Sequence, residues 1–489
     1  MITIGLAGHI DHGKSALVRV LTQMSPDRLP EEQKRGMTIE AGFSWLTLED
    51  GETISLIDVP GHKDFVKNVL AGLWGIDAAL LVVAADDGWM PQTEEHFQFL
   101  KFLAVKRAIV VMTKTDIVSD HGWLDVVEED IRARLYHSNL KDSPIVRVDS
   151  LRGMNVDSVL EKIQTLVSGI KRKKDIGKPR LPVDRVFTVR GVGTVVTGTL
   201  IDGHLSKDDT LFIPAIRASR RIRSLESFKR SVDRAPAGSR LAVNLVGVEK
   251  AELRRGDILF GNRMHAVESH MFDARIELVP FLANPVTSNR EVMVYLGTRE
   301  LAGRIRLLKG KSLGPGEKGF VQFCFKEAVA VRIGDRFIIR RPSPRETIGG
   351  GIVLNFPGSR NRFNLEDRTT ILQARECLDA KTLVETELWK NKYSKPADLL
   401  IASPCSSAEI KESLSYLLRE EACIKAGSWV VSRTHWQKQE EKAKRVLSLD
   451  YASHPLGMGM DRATFQSQID LPEDTLSYFI SRLRDSGGI

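Results

Sequence analysis

Cysteine is scarce in this chain. The four present, Cys324, Cys377, Cys405 and Cys423, show no paired metal-ligand spacing, which excludes a disulfide framework and a cysteine zinc site. No apolar run approaches the length that crosses a bilayer, and the expectation is a protein with no membrane contact. A first buried strand fits residues 1–7, leaving no room ahead of it for a signal or transit peptide, so the expected compartment is the cytoplasm. Strong charge imbalance is missing too. Lys and Arg number 71 against 63 Asp and Glu, and the pI near 9.2 permits nucleic-acid contact without establishing it. What remains is a chain of 489 residues, enough for roughly three or four domains with real cores.

Its first chemistry-bearing stretch is Gly8-His9-Ile10-Asp11-His12-Gly13-Lys14-Ser15. The apolar run before it and the helix-like Lys14 to Leu21 after it place the glycines where a strand turns into a helix. Such a turn aims successive backbone N–H groups at phosphates. Lys14 adds a point charge for the outer phosphates, and the Ser15 hydroxyl can hold Mg²⁺. A glycine-rich helix cap is the bland alternative, and the full eight-residue pattern argues against it.

Further short apolar runs, Ile54 to Ile57, Ala78 to Ala85 and Ala108 to Met112, predict a parallel sheet buried on both faces with functional residues at the strand ends. After Ile57 comes Asp58-Val59-Pro60-Gly61-His62, where Asp58 reaches Mg²⁺ through water and Gly61 offers an N–H to a γ-phosphate. Arg35-Gly36-Met37-Thr38-Ile39-Glu40 lacks helical or strand period; its Thr38 closes onto Mg²⁺ only while the γ-phosphate is present. Thr113-Lys114-Thr115-Asp116 follows the third run. A carboxylate at Asp116 accepts two hydrogen bonds from guanine and would face an acceptor on adenine, and the Lys114 stem lies against the base. Ser150 and Leu151, after Asp149, supply backbone groups to the guanine O6.

Together, GHIDHGKS, RGMTIE, DVPGH and TKTD resemble a translational GTPase. DRLPEEQKRGMTIE, DVPGHKDFVKNVLAG and VVAADDGWMPQTEEH are similar to the selenocysteine-specific elongation factors, the SelB family. The resemblance implies GTP and Mg²⁺ as ligands, with Ser15, Thr38 and Asp58 at the metal. It also implies that His62 is the catalytic histidine: in such GTPases it orients the attacking water once the ribosome positions it. Thr113 departs from the asparagine of most GTPases, as many selenocysteine factors do, which implies looser nucleotide retention through one lost bridging amide.

The resemblance runs on through FTVRGVGTVVTGTL, AGSRLAVNL, ELRRGD and RETIGGG. Val/Thr/Gly-rich segments with closely spaced turns predict all-β structure there, and the family adds that it forms two barrels. The implied aminoacyl pocket falls on Asp184, Arg185 and Arg240. A selenol is largely ionised near neutral pH and a serine hydroxyl is not, so two guanidinium groups favour selenocysteine over its precursor. Beyond Leu365, a capping box at Ser406 and Glu409 opens a helix with Ile410, Leu414, Leu417 and Leu418 on one face. A hairpin over Ala422 to Ser432, helices from Glu441 through Ile469 and from Pro472 to Arg484, and the start of a wing at 485–489 suggest about one and a half winged-helix modules.

The reading is therefore an α/β P-loop GTPase domain (1–170), a linker (171–185), two all-β barrels (186–265 and 266–360) and a mainly helical winged-helix tail (361–489) whose second module is incomplete. The implied partners are selenocysteinyl-tRNA, the ribosome and an mRNA hairpin held by the tail, and the expected state is a monomer. Its rivals are a general aminoacyl-tRNA delivery factor, the GTPase subunit of a sulfate adenylyltransferase complex and a nucleotide-gated RNA-binding protein.

Overall fold

The structure, a computed structural model, describes residues 1–25, 32, 38–356, 365–454 and 459–485. It divides into two compact units, Met1–Val331 with Asp335–Val353, and Arg332–Gly334 with Leu354–Ile489.

The N-terminal domain alternates strands and helices: β1 (Thr3–Gly8), α1 (Lys14–Thr22), β2 (Gly42–Thr47), β3 (Thr53–Asp58), α2 (Val66–Leu73), β4 (Ala78–Ala84), α3 (Pro91–Phe102), β5 (Ala108–Thr113), α4 (His121–Leu135), β6 (Ile145–Arg147) and α5 (Val156–Ser168). The sheet order is β2-β3-β1-β4-β5-β6. β1, β4 and β5 are buried along their whole length, which is why their sequences read as unbroken apolar runs. One strand departs from the expected parallel sheet: β2 pairs antiparallel with β3. It buries Gly42 and Ser44 and leaves Phe43 and Trp45 half exposed, so its alternation places small residues inward and large ones outward, the reverse of the usual strand signal.

The expected linker carries a strand of its own. Arg180–Pro182 (β7) pairs with Ile258–Phe260, so 180–182 belongs to the first barrel; prolines hid a three-residue edge strand that tolerates them. Next come β8 (Arg185–Val189), β9 (Gly193–Thr199), β10 (Thr210–Ile213), β11 (Ala218–Ser227), β12 (Arg240–Leu245) and β13 (Ile258–Phe260). The sheet runs β7-β13-β10-β11-β12-β9-β8 around one core that includes Leu181, Val196, Leu211, Ile222, Leu241 and Leu259. The second barrel is closed, in the order Glu268–Leu278, Lys318–Ala330, Arg299–Leu307, Arg290–Leu296, Arg336–Arg340, Thr347–Asn355, with Phe272, Phe323 and Phe337 packed inside. At the junction of all three domains, buried Arg180 binds Asp335 at 2.5 Å and Asp202 at 3.2 Å. Its guanidinium lies 5.6 Å from the Trp74 ring, and Trp74 Nε1 donates to the Arg336 carbonyl. The end of α2 is thereby fixed against both barrels.

The second unit is mainly helical: α6 (Leu365–Ala374), α7 (Ala380–Asn391), α8 (Ser407–Arg419), α9 (Arg433–Ser453), α10 (Arg462–Gln468) and α11 (Leu476–Asp485), with a small sheet of Tyr393–Ser394, Trp429–Ser432 and Cys423–Ala426. The Ser406–Glu409 capping box is present at α8, with Ile410, Leu414 and Leu417 buried. α9 begins at Arg433 rather than near Glu441. Its buried positions are His435, Trp436, Gln439 and Ala443, mostly polar or small, so the apolar period that announces a helix is thin there. Trp436, Phe465 and Phe479 form a second core. Arg35–Met37 of the switch stretch and the expected wing from Ser486 lie outside the described residues.

Candidate functional site

β1 ends in a turn that only glycine can make. Gly8 has φ 146°, and a Cβ there would sit 2.2 Å from the Val82 carbonyl oxygen. Asp11 (φ 59°) and Gly13 (φ 82°) carry the backbone round into α1. The turn is pinned from α3: Gly8 N donates to His96 Nδ1 at 2.9 Å and Ile10 N to Gln92 Oε1 at 3.1 Å. On the other side, Ala84 N donates to His12 Nδ1 at 3.1 Å, and the His9 ring lies 5.1 Å from that of His12. Burial, reinforced by the neighbouring Lys14 charge, drives both His12 and His96 down to about 3, so both are neutral acceptors. Lys14 is buried as well and donates to the Gly8 and His9 carbonyls at 3.1 and 2.5 Å. Its burial lowers the ammonium to about 8, with Asp58 and Asp11 opposing.

Ser15, Thr38 and Asp58 converge. Ser15 Oγ donates to Asp58 Oδ2 at 2.6 Å, Ser15 Oγ and Thr38 Oγ1 are 2.9 Å apart, and Thr38 Oγ1 is 3.4 Å from the same carboxylate oxygen. Two hydroxyls and one carboxylate are hard oxygen donors, the set that suits Mg²⁺. Gly61 packs against the turn so closely that a Cβ would lie 2.5 Å from Ile10 N and 2.7 Å from Lys14 Nζ. His62 stands one residue on, its side chain 31% exposed and its Nδ1 accepting from Asp64 N at 3.3 Å.

At the end of β5 the Thr113 hydroxyl donates to the His12 carbonyl at 2.7 Å. That hydroxyl ties strand β5 to the phosphate turn. Lys114 (φ 55°) pairs with Asp86 at 3.1 Å, and Asp116 stands partly exposed in the turn that follows. Ser150 is buried, its hydroxyl without a hydrogen-bond partner among the described residues. Leu151 is 86% exposed, and its N–H is taken by Asp149 Oδ1 at 2.9 Å, which subtracts one of the two backbone donors expected near the base.

A second cluster sits where the N-terminal domain meets the first barrel. Arg240 forms a two-point ion pair with Asp184, both nearly buried, and Thr197 Oγ1 donates to Asp184 at 2.6 Å. Arg185 Nη2 forms an ion pair with Glu40 and donates to the Ala41 carbonyl, each at 2.9 Å. The Phe43 ring lies 3.7 Å from the Arg240 guanidinium and 5.6 Å from that of Arg185. Arg255 joins the cluster through Asn68 and the Lys67 carbonyl; burial lowers its pKa, while Asp184 and Glu40 oppose that shift. Beside it, a cavity of about 510 Å³ is lined by Lys67, Arg254, Arg255, Arg299 and Lys326 among others.

The comparisons with known proteins now bear on this geometry. Residues 1–168 match the model of the elongation factor Tu GTP binding domain, 193–260 that of elongation factor Tu domain 2, and 273–360 that of the selenocysteine-specific elongation factor beta-barrel domain. The selenocysteine-specific elongation factor of Escherichia coli (strain K12) is 30% identical over 493 residues, 99% of this chain and 76% of that protein. The chain belongs to the selenocysteine-specific elongation factor family. A relative of the same description in Desulfomicrobium baculatum is 40% identical over 370 residues, 76% of this chain and 58% of its own. The crystal structure of a bacterial selenocysteine-specific elongation factor, EF-Sec, matches with a TM-score of 0.80 at 27% identity, over 99% of this chain and 78% of that one. The chain thus spans between about half and four fifths of the length of these selenocysteine-specific elongation factors.

Sequence reasoning missed Gln92, His96, Glu40, Phe43 and Arg255. Gln92 and His96 left a signal: four residues apart on α3, they share one helix face inside a stretch already noted. Glu40, Phe43 and Arg255 left none, because their partners lie more than a hundred residues away.

Proposed function

We propose that this member of the selenocysteine-specific elongation factor family delivers selenocysteinyl-tRNA to the ribosome at recoded UGA codons and hydrolyses GTP when codon recognition is made. One observation supports this most: the segment that brings Thr38 to Ser15 and Asp58 also brings Glu40 and Phe43 to the arginine pocket. A nucleotide switch and a cargo site therefore share one strip of chain.

In this reading the backbone from Gly8 to Gly13 and the Lys14 ammonium hold the phosphates, Gly61 offers its N–H to the γ-phosphate, and Asp116 with Lys114 and Ser150 receive guanine. Ser15, Thr38 and Asp58 would hold Mg²⁺, which when bound offsets charge on the phosphates. His62 orients the attacking water; alignment counts for more than proton abstraction in phosphoryl transfer. Arg185 and Arg240 favour a selenolate, and the neighbouring cavity, where Lys67, Arg254 and Arg299 pair with Glu300 and Glu327, keeps an excess of cations for an RNA backbone. The tail, with its helices and small sheet, fits winged-helix architecture and is the part assigned to an mRNA hairpin. Working with ribosomes places the protein in the cytoplasm.

The test is binding of selenocysteinyl-tRNA and seryl-tRNA on one tRNA body, each with a GTP analogue and with GDP. The expected outcome is tight binding for selenocysteinyl-tRNA with the GTP analogue alone. Equal affinities for the two tRNAs would overturn the cargo reading.

A further inference from the structure

The two pocket arginines are held in different ways. Arg240 takes its ion pair from its own barrel: Asp184, itself held by Thr197, lies beside β8, and the N-terminal domain adds the face of Phe43. Arg185 is aimed from outside the barrel. Its ion-pair partner, the Glu40 carboxylate, and its hydrogen-bond acceptor, the Ala41 carbonyl, lie two and three residues beyond Thr38, whose hydroxyl stands among the proposed Mg²⁺ donors. The strip between them is stiffened. Ile39 N and Glu40 N both donate to Glu32 Oε1 at 3.0 Å, and Asn68 Nδ2 donates to the Ile39 carbonyl at 2.6 Å.

We propose that Glu40 is a positioning residue that makes the cargo pocket conditional on the nucleotide: when Thr38 closes onto the phosphate site, Glu40 arrives at Arg185 and turns its guanidinium into the pocket. This rests on the cargo reading above and deepens it. Arg185 is 34% exposed and Glu40 41%, so their pairing adds little to stability. Its use is directional: one nitrogen, Nη2, meets both the carboxylate and the carbonyl, and that tether sets where the guanidinium lies. Release of Thr38 withdraws both partners and leaves Arg185 to swing, while Arg240 stays in place. One arginine is thus a permanent feature of the pocket and the other is switched. By linkage, whatever factor the GTP state adds to cargo affinity, cargo adds to GTP affinity.

The experiment uses the full chain and measures dissociation constants for selenocysteinyl-tRNA with a non-hydrolysable GTP analogue and with GDP, and for the analogue with and without that tRNA. Glu40→Gln keeps the shape and removes the charge. It is expected to reduce the ratio of the two cargo affinities about threefold, the scale of an exposed ion pair, by weakening the GTP-state complex and leaving the GDP-state complex as in wild type. The amount by which cargo tightens the analogue should fall by the same factor. Arg185→Lys should lose the same coupling, and the double variant should lose no more than either single one. If wild type shows the ratio and Glu40→Gln leaves it intact, the role given to Glu40 is wrong and the cargo reading stands. If wild type binds selenocysteinyl- and seryl-tRNA equally, both fall together.

Discussion

Around Gly8–Ser15 the chain is held mainly by neutral hydrogen bonds: two imidazoles accept backbone N–H groups, and a threonine hydroxyl bridges from β5. Around Arg240 it is held by ion pairs, Arg240–Asp184 within the first barrel and Arg185–Glu40 across the domain boundary. The phosphate turn must receive a highly charged ligand without offering it a competing anion, and neutral histidines support the turn while contributing no charge. The pocket faces the opposite demand. In the proposed role its cations are kept folded and poised before a cargo anion arrives, with Asp184 and Glu40 as their counter-ions. The difference teaches that two sites in one compact unit can both favour anions and still be stabilised by different means.

Breaking the catalytic alignment should give the largest effect. His62→Ala is expected to reduce ribosome-stimulated phosphate release by about 10²–10⁴-fold while sparing GTP binding, because the ring is partly exposed and bonds to Asp64 rather than to the phosphate turn. Stimulated release at the wild-type rate would remove His62 from the mechanism. Next comes the pocket's permanent pair. Arg240→Ala leaves Asp184 nearly buried without its counter-ion, a loss of about 3–5 kcal/mol that should appear as a lowered thermal unfolding midpoint. A double variant, Asp184→Asn with Arg240→Gln, should recover most of that stability and none of the selenocysteine preference.

The smallest effect separates the two sites by pH. His12 and His96 sit near 3 in the fold against an ordinary 6.5, so the unfolded chain takes up protons first. Their contribution is complete above about pH 6.5 and is lost as pH falls toward 3, about 2 kcal/mol for each histidine between pH 7 and 5. His96→Gln keeps an acceptor for Gly8 N–H and removes one titration, so the loss of stability between those pH values, followed by denaturant unfolding, should shrink by about half the histidine contribution. An unchanged slope would mean that the imidazole is not neutral in the fold.

Legibility in the sequence followed distance along the chain. The strand, turn and helix of residues 3–22, the switch residues at the strand ends and the capped helix α8 could all be read locally, because apolar period and turn chemistry act over a few residues. Strand β2 was missed because it buries Gly42 and Ser44, and β7 because three residues beside prolines carry no period. Asp184, Arg185 and Arg240 were assigned through family resemblance alone, since arginines at a barrel rim look like any solvated surface.

The sequence by itself determined the phosphate turn, the loop after β5 that is proposed to read guanine, the order of the matched domains and the family to which the chain belongs. Backbone geometry at Gly8 and Gly13, and side-chain chemistry at Lys14, Ser15 and Asp116, require only near neighbours. Tertiary structure alone decided which groups hold that turn from α3, that Thr113 bridges to His12, and that Glu40 meets Arg185 across 144 intervening residues of separation. Such contacts depend on how a sheet edge and a barrel rim are brought together by packing, and no local pattern records that.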